Sequence, residues 1–160
     1  MLMKKFSLTL AAVIGLGSAV AAQAAEPAQI NLSLARQMAA AAEAQATADH
    51  ANDVVTVMDA GGNIILVERM ANAQLASIEL SIKKAHSAVF YKRPTRSLEQ
   101  DVAHGLNNVL GLPGALPAGG GVPLIVGDTV IGAVGVSGGN NIQDNHAAEV
   151  GAAVYTKQAH

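Results

Sequence analysis

Two pairs of short apolar runs stand out in the pattern of hydrophobic and polar positions. Residues 54–58 and 64–67 are rich in Val and Ile, and a turn-forming segment, Asp59-Ala60-Gly61-Gly62-Asn63, separates them. Runs of this length and composition are typical of β-strands. Residues 122–126 and 129–136 repeat the pattern around Gly127-Asp128, where glycine tolerates a positive φ. The pattern therefore predicts two β-hairpins.

Longer stretches follow the 3.6-residue period of helices. An Ala-rich stretch from Leu32 predicts a helix ending near residues 48–51, and a second Ala-rich stretch predicts a final helix from about Ile142. Between the hairpins, Ser77 is placed to cap a helix that Pro94 stops near Lys92, and Ser97 to cap a short helix after it.

The helix between the hairpins is predicted to be amphipathic. Its apolar face comprises Ile78, Ile82, Ala85 and Val89, and its polar face comprises Lys83, Lys84 and Ser87. The element order is thus helix, hairpin, helix, helical turn, hairpin, helix. This order predicts an α+β fold with a central antiparallel sheet, built from two hairpins and flanked by helices, and not a doubly wound parallel fold.

The N-terminus has the form of a secretory signal peptide. Lys4 and Lys5 follow Met1, residues 6–20 are apolar, and Ala22-Gln23-Ala24 fits a small-x-small cleavage site. We therefore expect residues 1–24 to be a signal peptide and residues 25–160 a single domain. The protein is then expected to be periplasmic or secreted, with no stable membrane insertion after cleavage.

Composition excludes several classes of function. The chain has a formal net charge of −2, 2% aromatic residues and no cysteine. An acidic chain without a basic stripe or stacking platforms is not expected to bind nucleic acid. The lack of cysteine excludes disulfides, zinc–thiolate sites, iron–sulfur clusters and thiol nucleophiles. Asp144 and Glu149 do not form a recognisable acid–base pair, so hydrolytic catalysis is not supported, and binding is favoured over catalysis.

Two glycine-rich loops lie at the open end of the second hairpin: Gly119-Gly120-Gly121 before it and Ser137-Gly138-Gly139 after it. Neither loop fits a phosphate-binding motif. The glycines are expected either to contact a ligand or to let the backbone approach another segment closely.

Histidine and a cationic cluster are the remaining candidates for binding chemistry. None of the five histidines forms an H-x-x-x-H motif. His86 falls at the edge of the apolar helix face, where it is either a boundary residue or a cofactor ligand. Cations in the segment Lys92-Arg93-Pro94-Thr95-Arg96 either interact with the helix C-terminus or bind an anion.

Several motifs, in the same order along the chain, resemble the GlcG/HbpS-like family, which includes the C-terminal domain of PduO-type proteins. Residues 57–63 resemble its V-x-D-x-G-G-x hairpin, and Lys84-Ala85 with Phe90 and Arg93-Pro94-Thr95 resembles its K-A…F-x-R-P-T segment. Residues 119–123 and 131–144 look like its G-G-V-P and G-A-[IV]-G-V-S-G…Q-D signatures. The resemblance covers the chain from about Leu32 to Tyr155.

The resemblance implies an α/β sandwich with profilin-like layering and a homo-oligomer, which in this family is often an octamer. It also implies a tetrapyrrole ligand, haem in some members and a corrinoid in others. We therefore expect an exported haem-binding protein that acts in haem or iron sensing, storage or handling. Its protein partner is not identified by the sequence. The alternative is an enzyme or accessory protein in haem breakdown or in the metabolism of a small hydroxy acid such as glycolate.

Under this hypothesis His86 is the metal ligand, and Lys83 and Arg93 face the haem propionates. Thr95 lies in the segment that corresponds to the ligand-side region of the family. The loop glycines Gly120, Gly121 and Gly138 are expected to shape the rim of the pocket.

Overall fold

The computed structural model describes residues 29–158. The expected signal peptide lies outside this range. The chain contains four α-helices, four β-strands and one short 3-10 helix within the described range: α1 Leu32–Ala48, β1 Val54–Asp59, β2 Ile64–Arg69, α2 Ala76–Tyr91, α3 Thr95–Ala103, the 3-10 helix Asn107–Gly111, β3 Gly121–Val126, β4 Thr129–Ser137 and α4 Asn141–Gln158.

The strands form one open antiparallel sheet in the order β2-β1-β4-β3. Each predicted hairpin supplies one half of the sheet, and Gly127 takes a positive φ of 57° in the turn between β3 and β4. The halves join where β1 pairs with β4, with Val54 opposite Ser137 and Asp59 opposite Gly132. The predicted α+β class with a central antiparallel sheet is confirmed.

Helices cover both faces of this sheet, as the nearly continuous apolar strands require. Alternate residues of β1 point to opposite faces. Val55 and Val57 join the larger core with α1 and α4, whereas Met58 packs with residues of α2 in a smaller cluster. No helix in the described range is both long enough and apolar enough to span a membrane.

Glycines in the sheet let the backbone of α2 lie directly on it. A Cβ at Gly135 would collide with the carbonyl oxygen of Ser81 and would lie 2.6 Å from the amide nitrogen of Ala85. A Cβ at Gly121 would collide with the carbonyl oxygen of Lys84. Gly121 and Gly135 therefore have an architectural role, because any side chain at either position would push α2 away from the sheet.

The prediction that Lys84 lies on an exposed polar face of α2 is wrong, because its side chain is buried beneath the helix. The Lys84 Nζ donates to Oδ2 of Asp144 over 2.6 Å, and both side chains are at most 3% exposed. Asp144 Oδ1 also accepts from the amide of Gly139 over 2.8 Å. Ser87 is buried too, and its Oγ accepts from the amide of Leu116. Periodicity did not reveal these burials because each polar group finds its partner far along the chain.

The predicted serine caps are also wrong. Helix α2 begins at Ala76, so Ser77 lies within its first turn, where its buried Oγ has no hydrogen-bond partner among the described residues. Helix α3 begins at Thr95 after Pro94, and Ser97 instead accepts from Arg93. Pro94 occupies the N-cap position and has no side-chain acceptor, so this helix begins without a side-chain cap.

Asp53 is a second buried acid near the Lys84–Asp144 pair. It is fully buried immediately before β1, and neither carboxylate oxygen has a hydrogen-bond partner among the described residues. Burial raises the pKa of Asp53 to about 6, and the negative charge of Asp144 adds to the rise.

Replacing Gly135 with alanine is expected to destabilise the protein by about 2–3 kcal/mol, because the new methyl group must separate α2 from β4. Urea unfolding measures this change. Gly111→Ala is the matched control, since a Cβ there meets nothing within 4 Å and is expected to change the free energy of unfolding by less than about 0.5 kcal/mol. Equal stabilities of the two variants would contradict the close packing of α2.

Asp53 is expected to make the protein less stable as pH rises from about 4 to 6. Its folded-state pKa lies above the unfolded value, so the folded state binds more protons in this window and loses that advantage as pH increases. Asp53→Asn should flatten the decline and stabilise the protein at pH 8 by about 1–2 kcal/mol. Urea unfolding at several pH values measures the slope. Asp128→Asn, at an exposed turn, should leave it unchanged.

Candidate functional site

His86 lies between two glycines from different parts of the chain. A Cβ at Gly62, in the turn between β1 and β2, would lie 3.3 Å from the imidazole Cδ2. A Cβ at Gly114, in the loop before β3, would lie 3.8 Å from Nδ1. Both glycines have positive φ values, 77° and 71°, which other residues rarely adopt. The ring therefore occupies space that side chains at these positions would restrict.

An apolar pocket of about 340 Å³ opens beside this imidazole. Its walls come from β1, the first hairpin turn, α2 and the loop before β3. The lining residues are Met58, Gly62, Ile64, Ile82, Lys83, His86, Gly114, Ala115 and Leu116. The volume falls in the lower part of the range typical of small-molecule sites, about 300–1,000 Å³.

The imidazole of His86 is available to a ligand. No described residue forms a hydrogen bond with either ring nitrogen, whereas one face of the ring stacks on Phe90 with centroids 5.6 Å apart. Phe90 is itself 59% exposed. A neutral imidazole without a protein partner can coordinate a metal or accept a proton from a bound molecule.

Two hydrogen bonds hold the pocket wall against α2. Tyr91 donates its hydroxyl to the carbonyl of Pro113 over 2.6 Å, and Ser87 accepts from the amide of Leu116 over 3.1 Å. These bonds fix both ends of the segment that carries Gly114. The opening beside His86 is therefore a formed feature of the fold.

Of the predicted site residues, the structure brings His86 and Lys83 together at this pocket. Lys83 is mostly exposed and lies 3.5 Å from Glu79, one turn earlier on α2. Arg93 does not line the pocket, because its guanidinium bonds Ser97 and Asp101 at the corner between α2 and α3.

The other predicted site residues lie near Lys84, Asp144 and the residues that precede β1, and of these Gly138 is only partly buried. The Thr95 hydroxyl accepts from the amide of Gly121 over 2.8 Å. A Cβ at Gly120 would lie 3.0 Å from side-chain carbons of both Lys84 and Asp144. A Cβ at Gly138 would collide with the carbonyl oxygen of Asn52, just before β1. These four residues hold loops together and do not line the pocket.

Half of the pocket wall was not predicted from the sequence. Met58 and residues 114–116 reach His86 only because the hairpin turn and the loop before β3 fold over the same side of α2. The Pro113-Gly114 pair is a turn signal, in agreement with the positive φ of Gly114. Such a signal indicates a loop, but it does not indicate that the loop contacts His86.

The chain is similar to proteins of a known family. A family model described as "Haem degrading protein HbpS-like" matches residues 30–153. Protein GlcG of Escherichia coli K12 is 34% identical over 108 residues, which cover 65% of this chain and 81% of GlcG.

Solved structures agree with the match. The crystal structure of Klebsiella pneumoniae protein ORFY is similar with a TM-score of 0.73 and 37% identity, covering 84% of this chain and 96% of that one. The crystal structure of a PduOC–haem complex is similar with a TM-score of 0.69 and 32% identity, covering 79% and 95% respectively. The family match spans both hairpins, the first three helices and α4 as far as residue 153, so this chain belongs to the HbpS-like family, as its motifs predicted.

Proposed function

We propose that this protein binds haem in the apolar pocket beside His86, with an imidazole nitrogen of His86 as the iron ligand. The observation that carries the proposal is an imidazole with no hydrogen-bond partner among the described residues, at an apolar pocket. Support also comes from the similarity to the PduOC–haem complex and from the description of the family.

The lining residues fit a flat apolar ligand with a charged edge. Apolar side chains and two glycines would contact the macrocycle, and Lys83 lies at the pocket to interact with a carboxylate. Because Arg93 is already paired with Asp101, only Lys83 is expected to contact a propionate. When bound, haem supplies an iron that exchanges electrons and binds small molecules. The protein supplies the imidazole, the apolar surroundings and a counter-charge.

We further propose that the protein acts as an exported homo-oligomer in sensing, storing or handling haem or iron. The signal-peptide pattern supports export. Large exposed apolar side chains support self-association: Ile64 at the pocket is 52% exposed, and Phe90 beside His86 is 59% exposed. A pocket this small leaves part of a macrocycle uncovered, and a neighbouring copy would cover the remainder.

A hemin titration tests the role of His86. The wild-type protein is expected to give a saturable Soret shift, and His86→Ala should weaken binding at least about tenfold and change the spectrum, because the iron loses its nitrogen ligand. His104→Ala is the matched control, since His104 is exposed and lies outside the pocket. An unchanged spectrum in His86→Ala would exclude this ligand, and saturable binding of cobalamin without hemin binding would favour a corrinoid.

Haem breakdown is a second candidate, favoured by the description of the family model. Under this alternative the haem-loaded protein, supplied with a reductant and oxygen, would convert haem to a ring-opened product over several turnovers. Loss of the Soret band with appearance of the product would support an enzyme, and a stable Soret band under the same conditions would support binding alone.

A further inference from the structure

A second pocket lies where the end of α1, the start of α3 and the first turns of α4 meet. Its volume is about 430 Å³, and its walls carry charged and amide side chains. None of its lining residues belongs to the pocket beside His86. Its chemistry is therefore separate from the proposed haem site.

A histidine–aspartate pair forms one side of this polar pocket. The Nδ1 of His146 lies 2.9 Å from Oδ2 of Asp49. Hydrogen bonds from Gln45 and His146 hold the pKa of Asp49 below its usual range, so Asp49 is ionised near neutral pH. The carboxylate orients the imidazole with Nδ1–H as the donor, which leaves Nε2 available.

Arg96 forms another side. Arg96 is half-buried, and its guanidinium has no ion pair or hydrogen bond with any described residue, whereas neighbouring Arg93 is bonded to Asp101. A guanidinium presents a planar fork of donors that matches a carboxylate. Arg96 is therefore available to bind a carboxylate in this pocket.

Asn145 supplies an unsatisfied acceptor. It is only 3% exposed, and its Nδ2 donates to Oε1 of Glu149 over 2.7 Å, which fixes the orientation of the amide. The opposite oxygen, Oδ1, is buried and has no hydrogen-bond partner among the described residues. Leaving a buried acceptor unpaired destabilises the protein, and a donor on a bound molecule would offset that cost.

The charges of this pocket favour a ligand that carries both a positive and a negative charge. One unpaired cation, Arg96, faces a lining that also holds the carboxylates of Asp49 and Glu149. A simple anion would add a third negative charge. A metal ion is also disfavoured, because no group of three metal-binding side chains was found in the described part of the chain.

We propose that this polar pocket binds a free α-amino acid with an apolar side chain. The carboxylate of the ligand pairs with Arg96, and its ammonium donates to Asn145 and Glu149. Ile142, which is 67% exposed at the pocket wall, contacts the side chain of the ligand. The site requires both charged ends, because each end satisfies a different group.

Nuclear magnetic resonance titration of the 15N-labelled full chain with L-leucine tests this assignment. Saturable shifts are expected for the amides of Arg96 and residues 142–149. 4-Methylpentanoate, which lacks the ammonium, and 3-methylbutylamine, which lacks the carboxylate, should each bind at least tenfold more weakly. Absence of saturable shifts with leucine up to about 10 mM, or equal binding of either analogue, would overturn the proposal.

Variants locate the site. Arg96→Gln should weaken leucine binding at least tenfold and leave the affinity for 3-methylbutylamine unchanged. Arg36→Gln, on the exposed side of α1, is the matched control and should bind leucine like the wild type. Retained leucine binding in a folded Arg96→Gln variant contradicts the assignment. His86→Ala should bind leucine normally, so failure of the haem proposal leaves this result unaffected.

Discussion

The structure depends on how closely helix α2 approaches the sheet. Gly121 and Gly135 present no side chain to α2, and the carbonyl oxygens of Lys84 and Ser81 occupy the space where a Cβ would stand. Backbone packed at this distance leaves little freedom for the helix to slide or rotate, because either motion produces collisions. The position of every side chain on α2 is therefore set by two strands that the chain makes some thirty residues later.

This close approach explains why an ion pair is buried beneath the helix. Lys84 has no route to solvent once α2 lies on the glycines, so its charge must be satisfied internally, and Asp144 at the start of α4 satisfies it. Such a pair is a weak source of net stability, yet removing one partner leaves an uncompensated buried charge, at a cost of about 3–5 kcal/mol. The pair is best understood as a positional constraint that fixes α2, α4 and the loop at Gly139 relative to one another.

The sequence predicted the elements well because their signals are local. Each hairpin is a pair of apolar runs around a turn with glycine, and chain order alone placed helices on the sheet. The burial of Lys84, the orphaned carboxylate of Asp53 and the gathering of Met58 and Gly114 around His86 depend on long-range pairing. Helical periodicity classifies a lysine by its polarity, so it could not predict one that is neutralised from sixty residues away. The Lys84-Ala85 and Gln143-Asp144 motifs carried this signal, but a single sequence does not show that the two motifs pair.

The rigid attachment of α2 also bears on whether the two pockets communicate. Asp144 anchors α2, and the adjacent Asn145 lines the polar pocket, so a covalent and packed route connects His86 with Arg96 and α4. Energetic coupling needs more than a route: it needs an element with two arrangements that each ligand favours differently. A second position of α2 would produce collisions at the sheet glycines and would break the buried ion pair. Ligands at the two proposed sites, one apolar and one charged, are therefore expected to bind independently.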